Sequence, residues 1–469
     1  MIKSSQTHKL AFGNFLSKLL SKINTTYIPF NQKHHNHLHY MIMEIKIQST
    51  QFVKPSTSTP QNLQYFKLSA LDQLAPSSNI NMIFYYKTRG ANELDIPDRN
   101  RRLVKSLSDA LNVYYPFAGR LTRDRLRVDC SDQGVKYLET RASIRLDDFL
   151  NHGPDVDQVG RLVNAPDLVT NALLAVQVNV FDCGSLVIGV SASHKVTDAY
   201  NLTRFVNEWA SVNRIGSENV TYRPSFDHLE RIFQPLDISN ISSHEHSPVA
   251  VEQKPVMLTK RYVFNGTAIS NLRAKAGPES SKQSTRVTLV SSLIWKALID
   301  VDRVKTGRFR DCLLSPAISL RGKRESPVSE TSFGNVWIPY PIRFLQNETE
   351  NKFLDLVGLI ERTTRKIVKW VVKASGEEIC KQAKAWYNEA YDEVKQNKFC
   401  IITSWCKFPI YEADFGWGKP CWVSGAGRSL DMVTLMDDEN GDGIEAWVSL
   451  NEKDMKLFEQ DEDIIAFTS

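Results

Sequence analysis

A histidine and an aspartate four residues apart, His194 and Asp198, are the residues whose types and spacing most suggest chemistry. The apolar run at 186–190 before them predicts a buried strand. The apolar residues after them recur at the spacing of one helix face: Leu202, Phe205, Val206 and Trp209. We therefore expect His194 on a turn between a strand and a helix, where a neutral imidazole can act as a general base near pH 7. Asp198 stands at the position of a helix N-cap.

The sequence lacks the motifs of the commonest alternative chemistries. It has no Gly-X-Ser-X-Gly nucleophile elbow, no phosphate-binding loop and no dinucleotide-binding glycine fingerprint. No further histidine or glutamate lies at metal-ligand spacing from His194 and Asp198, so we expect no metal site. A lone histidine can also be an ordinary core residue, and the turn alone does not separate the two interpretations.

Length, charge and cysteine content bound the class of protein. A chain of 469 residues is too long for one core and predicts two domains. The net charge of +5 is spread along the chain, which disfavours a nucleic-acid partner. Seven cysteines without a Cys-X-X-Cys pair predict free thiols in a reducing compartment, and we expect the cytoplasm. No apolar stretch is long enough to span a membrane.

The first 42 residues differ from the rest of the chain. Residues 1–43 hold five lysines and five histidines but no acidic residue. We interpret residues 1–42 as an extension, with an organellar targeting segment as the alternative. The body then divides into a first domain at 43–210, a crossover loop at 211–256 and a second domain at 257–469.

Strands and helices alternate in both halves, which predicts an α/β fold. The predicted strands are 43–52, 81–86, 126–130, 173–181, 186–190, 256–264, 312–320, 399–405 and 444–450. The predicted helices are 98–111, one after Asp198, 267–276, 286–301, at least two within 352–394, and a last one capped by Asn451.

A second notable cluster is Asp-Phe-Gly-Trp-Gly at 414–418. Gly416 and Gly418 among bulky aromatic residues indicate a tight, closely packed turn. Asp414 beside these aromatics needs either a cationic partner or backbone donors. Taken alone, the cluster is best interpreted as structural.

Together these motifs resemble those of the plant BAHD acyltransferases. The resemblance rests on the His-X-X-X-Asp turn at 194–198, the cluster at 414–418 and Tyr-Pro-Phe-Ala-Gly-Arg at 115–120. Further matches are Leu68–Asp72, Gln177–Gly184, Ser332–Asn335 and Thr403–Trp405. They run in order from about Met43 to the C-terminus, and the segment 403–420 looks closest to the vinorine synthase-like, alkaloid-acetylating branch. Ala199 and Ser185 depart from the glycines found in many relatives.

The resemblance implies a fold and a reaction. The fold would be two similar-sized chloramphenicol-acetyltransferase-like domains with an active-site channel between them. The chain would move an acyl group, expected to be acetyl, from coenzyme A to a hydroxyl of a plant specialised metabolite, expected to be an alkaloid. Acylation of an amine, of a terpenoid alcohol or of a phenolic alcohol stays open, as does a non-catalytic binding relative. Acyl-CoA would be a co-substrate, no cofactor would be bound, and the protein would be a monomer.

The resemblance also implies roles for individual residues. His194 matches the catalytic base, and Asp198 matches the aspartate thought to orient the turn. Asp414 matches a structural aspartate that pairs with an arginine, for which Arg321 is the candidate in this chain.

Two positions match residues implicated near the reacting carbonyl, Thr403 and Trp405. The Thr403 hydroxyl or the Trp405 indole N–H would be an oxyanion donor.

Overall fold

The computed structural model describes residues 43–87, 96–153, 156–166, 171–219, 222–226, 229–236, 256–277, 284–322, 328–347, 350–393, 397–427 and 430–468. Residues 1–42, on which the targeting prediction falls, lie outside these ranges. In the described ranges, no helix is long and apolar enough to cross a membrane.

Sixteen strands form three sheets in the described part of the chain. They are β1 (Ile45–Val53), β2 (Tyr65–Lys67), β3 (Asn79–Tyr86), β4 (Arg120–Leu121), β5 (Arg127–Asp129), β6 (Val135–Ala142), β7 (Leu174–Phe181), β8 (Leu186–Ser193), β9 (Met257–Phe264), β10 (Cys312–Ser319), β11 (Trp337–Pro339), β12 (Ile342–Phe344), β13 (Lys398–Ser404), β14 (Trp422–Ser424), β15 (Met432–Asp437) and β16 (Ile444–Asn451). The first sheet has the order β1-β6-β7-β8-β3-β14, and the second β11-β10-β13-β15-β16-β9, with β12 beside β10. The small third sheet is β2-β5-β4.

Twelve α-helices accompany these sheets in the same ranges. They are α1 (Ala70–Leu74), α2 (Ile96–Ala110), α3 (Leu146–Asn151), α4 (Val156–Gly160), α5 (Ala199–Ile215), α6 (Leu229–Ile232), α7 (Gly266–Lys275), α8 (Arg286–Thr306), α9 (Phe353–Lys373), α10 (Gly376–Glu393), α11 (Glu452–Phe458) and α12 (Glu462–Phe467). The mixed α/β class predicted from the sequence is confirmed.

Helix ends are set by the local residues that the sequence offers. Asp198 caps α5 by accepting the Asn201 backbone N–H at 2.9 Å, and Asn451 caps α11 in the same way. Thr285 caps the start of α8, and Gly307 ends that helix with a left-handed φ of 73°. These residues set the helix ends because they satisfy, or allow a turn that satisfies, backbone groups that the helix leaves unpaired. The predicted helix positions are confirmed to within a few residues.

Several elements depart from the expected arrangement. β14 belongs to the C-terminal half of the sequence but pairs antiparallel with β3 of the first sheet. β11 and β12 are short strands that the sequence pattern did not reveal. Helix α5 continues to Ile215, inside the segment predicted as the crossover loop. The residue ranges of the two domains stay a prediction.

The second sheet has one face toward its own helices and one toward the first half. Its residues Leu314, Ile402, Val433 and Leu435 share a core with α8. The side chains at the intervening positions of the second sheet lie on its other face. Two of them, Met436 and Trp447, belong to the core of the first half. We call this side the inner face. It includes Trp337, Ser319, Ala317, Thr403, Thr434 and Trp447, which follow one another across β11, β10, β13, β15 and β16.

Exposure varies along the inner face. Thr434 and Trp447 are only 5% and 4% exposed. Trp337, Ser319 and Thr403 are partly exposed, and Ala317 on a central strand is exposed. A central strand that exposes its side chains indicates an opening between the two halves over β11, β10 and β13.

Candidate active site

His194 lies where the sequence predicted it, between β8 and α5. Its backbone N–H donates to the Ser78 carbonyl at 3.0 Å, just before β3 begins. The side chain is half-buried, and its ring centroid lies 5.6 Å from that of Trp337 on the inner face. The histidine therefore sits at the opening between the halves.

Asp198 holds this turn through a buried ion pair. Its carboxylate accepts hydrogen bonds from the Arg321 guanidinium at 2.8 and 3.3 Å, and the two side chains are 7% and 5% exposed. The same carboxylate accepts the Val336 N–H at 3.0 Å. The Asp198 carboxylate also caps α5. It therefore connects three segments: the start of α5, Arg321 after β10, and Val336 before β11. Asp198 therefore ties the His194 turn to the second half of the chain.

The predicted pairing of Arg321 with Asp414 is wrong, since Arg321 binds Asp198. The Asp414 carboxylate instead accepts the backbone N–H groups of Gly416 and Gly418 at 2.8 and 2.9 Å. Both glycines have left-handed φ angles, 101° and 106°, which the closed turn requires. Backbone donors thus take the place of the expected cation.

The Asp414 turn packs at the far end of α5 from His194. The Phe415 carbonyl accepts from the Asn213 amide at 2.6 Å, and the Ala413 carbonyl accepts from the Tyr86 hydroxyl at 2.7 Å. Asn213 lies 15 residues after Asp198, which is about 22 Å along a helix. The structural interpretation of Asp414 rests on this separation and on its backbone bonds.

The tautomer of His194 follows from its partner Asn335. The Asn335 Oδ1 lies 2.9 Å from His194 Nδ1 and 3.1 Å from Trp337 Nε1. An indole nitrogen only donates, so this amide atom is an oxygen that accepts. His194 Nδ1 therefore carries the hydrogen, and in the neutral ring the lone pair lies on Nε2.

Asn335 is held by a second buried carboxylate, Asp72. The Asn335 backbone N–H and side-chain amide donate to Asp72 Oδ1 at 2.7 and 2.9 Å, and the amide also donates to the His194 carbonyl at 2.7 Å. Asp72 completes a capping box with Ser69 at the start of α1. Burial raises the pKa of the Asp72 carboxyl, while its hydrogen bonds from Ser69 and Asn335 favour the charged form. The amide has little freedom to rotate.

Lys195 adds a half-buried cation beside the histidine. Its Nζ donates to the Gln73 carbonyl at 2.8 Å and to the Ala75 carbonyl, at the C-terminal end of α1. Burial lowers the pKa of the Lys195 ammonium to about 8. Lys195 therefore fastens the helix that carries Asp72.

Thr403 and Trp405 occupy different environments. Thr403 is partly exposed on the inner face, and the register of β10 with β13 continues to place it beside Ala317. Trp405 follows β13, is 3% exposed and belongs to the core of the first half. Thr403 thus borders the opening, whereas Trp405 is packed between the halves.

Sequence reasoning gave no role to Asn335, Asp72 or Trp337. The first two lie in segments quoted for the resemblance, but they are 141 and 122 residues away from His194. No spacing rule connects residues so distant in sequence.

The chain was compared with known proteins. Residues 43–464 match the Transferase family model. Limonoid 21-O-acetyltransferase of Melia azedarach is 36% identical, covering 91% of this chain and 99% of the relative. Stemmadenine O-acetyltransferase of Catharanthus roseus is 31% identical, covering 90% and 97%. The crystal structure of vinorine synthase is 29% identical and covers 91% of this chain and 99% of that one, with a TM-score of 0.77.

The Asp198–Arg321 pair yields a stability prediction. Asp198→Ala should destabilise the protein by about 3–5 kcal/mol, because it leaves the Arg321 guanidinium buried and unpaired. Urea unfolding followed by circular dichroism measures the change. Asp98→Ala, which breaks an exposed pair with Arg101, is the matched control and should cost less than about 1 kcal/mol. Equal midpoints for the two variants would contradict the assigned role of Asp198.

The Asp414 turn yields a second prediction. Asp414→Ala should lower stability by about 1–3 kcal/mol, since two backbone N–H groups lose a charged acceptor. Turnover per folded molecule should be unchanged, because the turn is far from His194. Glu412→Ala, which removes an exposed partner of Lys419 in the same loop, is the control and should have little effect. A variant that unfolds like the native protein but turns over slowly would oppose this interpretation.

Proposed function

The chain belongs to the Transferase family and is a BAHD acyl-CoA-dependent acyltransferase; on this premise we propose that it transfers acetyl from acetyl-CoA to a hydroxyl of a polycyclic plant specialised metabolite. The observation that carries the proposal is the fixed tautomer of His194. A general base for a hydroxyl needs an unprotonated nitrogen, and Nε2 supplies it.

The reaction follows from this arrangement. His194 Nε2 takes the proton of the acceptor hydroxyl as its oxygen attacks the thioester carbonyl. The tetrahedral oxyanion collapses and breaks the carbon–sulfur bond. The coenzyme A thiolate then takes the proton back from the imidazolium. The Asn335 Oδ1 supports the cationic ring in the middle of this sequence through its hydrogen bond to Nδ1.

Thr403 is the oxyanion donor that the geometry favours. Its hydroxyl lies on the partly exposed section of the inner face that also holds Trp337, the neighbour of His194. Trp405 is the second candidate, and its burial in the first core supports a packing role as well.

The acceptor is proposed from the relatives. Two of the relatives quoted above are named for acetyl transfer to oxygen, one on a limonoid and one on stemmadenine, an alkaloid. We infer an O-acetyltransferase for one of these two polycyclic classes, of which the alkaloid is the acceptor expected from the sequence. Acylation of an amine has no observation in its favour, and an intact His194 disfavours a non-catalytic relative.

The cellular setting stays a proposal. None of the seven cysteines, all of which lie in the described ranges, forms a disulfide, which supports a reducing compartment such as the cytoplasm. A monomer is also proposed, because the site is built from one chain.

A substrate screen tests the proposed function. Purified protein is incubated with acetyl-CoA and a panel of indole alkaloids, limonoids and phenolic alcohols, and thiol release and acetylated product are followed. We expect acetylation of an alkaloid or limonoid hydroxyl. Acetylation of amines alone, or no product from any panel member, would contradict the proposal.

His194 is tested directly. His194→Ala should abolish acetyl transfer with unchanged circular dichroism, because no other nitrogen takes the proton at this position. His152→Ala is the control, since His152 is exposed at the end of α3 and should leave turnover unchanged. Full activity in His194→Ala would refute the mechanism.

Thr403 is tested with an isosteric change. Thr403→Val should lower kcat by about a hundredfold with little change in KM, since one oxyanion donor contributes roughly 3 kcal/mol. Thr434→Val alters the neighbouring, buried threonine of the same face and is the control. If both variants kept native kcat, Thr403 would not be the donor.

A further inference from the structure

Trp337 lies beside the candidate base His194 and has no role in the reaction proposed above. It is the first residue of β11, and it pairs with Ser319 of β10. The centroids of its indole and the His194 imidazole are 5.6 Å apart, with an angle of 52° between the planes. The indole is partly exposed, so it forms part of the wall of the opening.

This indole is held in place rather than free to turn. Its Nε1–H donates to Asn335 Oδ1 at 3.1 Å, and Asn335 is itself fixed by Asp72. The backbone before it is also tied down, because the Val336 N–H donates to Asp198 and the Asn201 amide donates to the Ser332 and Gly334 carbonyls. A side chain held in this way resists displacement by a substrate.

The residues beside Trp337 on the inner face are small. Ser319 and Ala317 follow on β10, and Thr403 comes next on β13. Neighbouring strands lie about 4.8 Å apart, and Ser319 and Ala317 are two residues, or about 7 Å, apart along β10. Trp337 and Thr403 are therefore separated by about 12 Å. The space over Ser319 and Ala317 is therefore bounded at the His194 end by the Trp337 indole and at the opposite end by Thr403, the proposed oxyanion donor.

We propose that Trp337 is a specificity-determining residue that limits the transferred acyl group to a short chain. The inference rests on the proposed function, since it places the thioester carbonyl at Thr403 and the acceptor oxygen at His194. An acyl chain longer than acetyl that extends from that carbonyl over Ala317 and Ser319 meets the fixed indole. Removing the indole opens this space without removing the base or the donor.

The test compares acyl donors on Trp337 variants. Acetyl-CoA, butanoyl-CoA and hexanoyl-CoA are supplied with the acceptor found in the screen, and kcat/KM is measured for the native protein, Trp337→Ala and Trp337→Phe. Trp337→Ala should raise the hexanoyl-to-acetyl ratio of kcat/KM by about tenfold or more, the effect of a few methylenes admitted to a pocket. Trp337→Phe keeps a ring and should stay near the native ratio. Trp370→Ala, on α9, controls for the loss of a tryptophan elsewhere.

A binding measurement separates this inference from the proposed function. Titration calorimetry of the same three donors, without acceptor, should show tighter hexanoyl-CoA binding by Trp337→Ala than by the native protein. A shifted ratio of the hexanoyl-CoA and acetyl-CoA dissociation constants supports the inference even if no panel acceptor reacts, a result that would contradict the proposed function alone. An unchanged donor ratio in folded Trp337→Ala, or a change confined to acceptor preference, would overturn the inference. If Trp337→Ala does not fold, Trp337→Leu replaces it with the same expected direction.

Discussion

The site depends on one buried carboxylate, that of Asp198, and on its arginine partner. Burying an isolated carboxylate and an isolated guanidinium is costly, and their hydrogen-bonded pairing offsets that cost. The remaining contacts of Asp198 with the start of α5 and with the Val336 N–H use the other acceptor positions of the carboxylate. Because the arginine comes from the second half, the His194 turn is ordered only where the two halves meet. Asp198 thus joins the His194 turn to the second half of the chain.

Much of the fold was predictable because its signals are local. The apolar run before His194 and the spacing of Leu202 and Trp209 lie within a few residues of each other, and a strand and a helix form there. Caps such as Asn451 act over three residues. β14 was not predictable, because its three residues gain their stability from pairing with β3, more than 300 positions earlier. Short strands of this kind are selected by tertiary contacts rather than by their own pattern.

The site was predictable in its parts but not in its connections. His194, Asp198 and Thr403 were identified from motifs, and the structure places His194 and Thr403 along one opening. The partner of Arg321 was assigned to the wrong aspartate because the resemblance implied an arginine partner for Asp414, and the sequence itself shows only that such a carboxylate needs donors. It does not show whether these are a guanidinium, as at Asp198, or backbone N–H groups, as at Asp414. The Asn335 amide has no signature of its own, since its importance comes from Asp72 and His194, which lie 263 and 141 residues away in the sequence.

The central claim is that the junction between the halves fixes the His194 ring with its lone pair on Nε2. Nitrogen-15 chemical shifts of the histidine rings test it directly, with the His194 signals identified by their loss in His194→Gln. We predict that the neutral imidazole ring of His194 carries its hydrogen on Nδ1 and none on Nε2. The opposite tautomer, with hydrogen on Nε2, would contradict it.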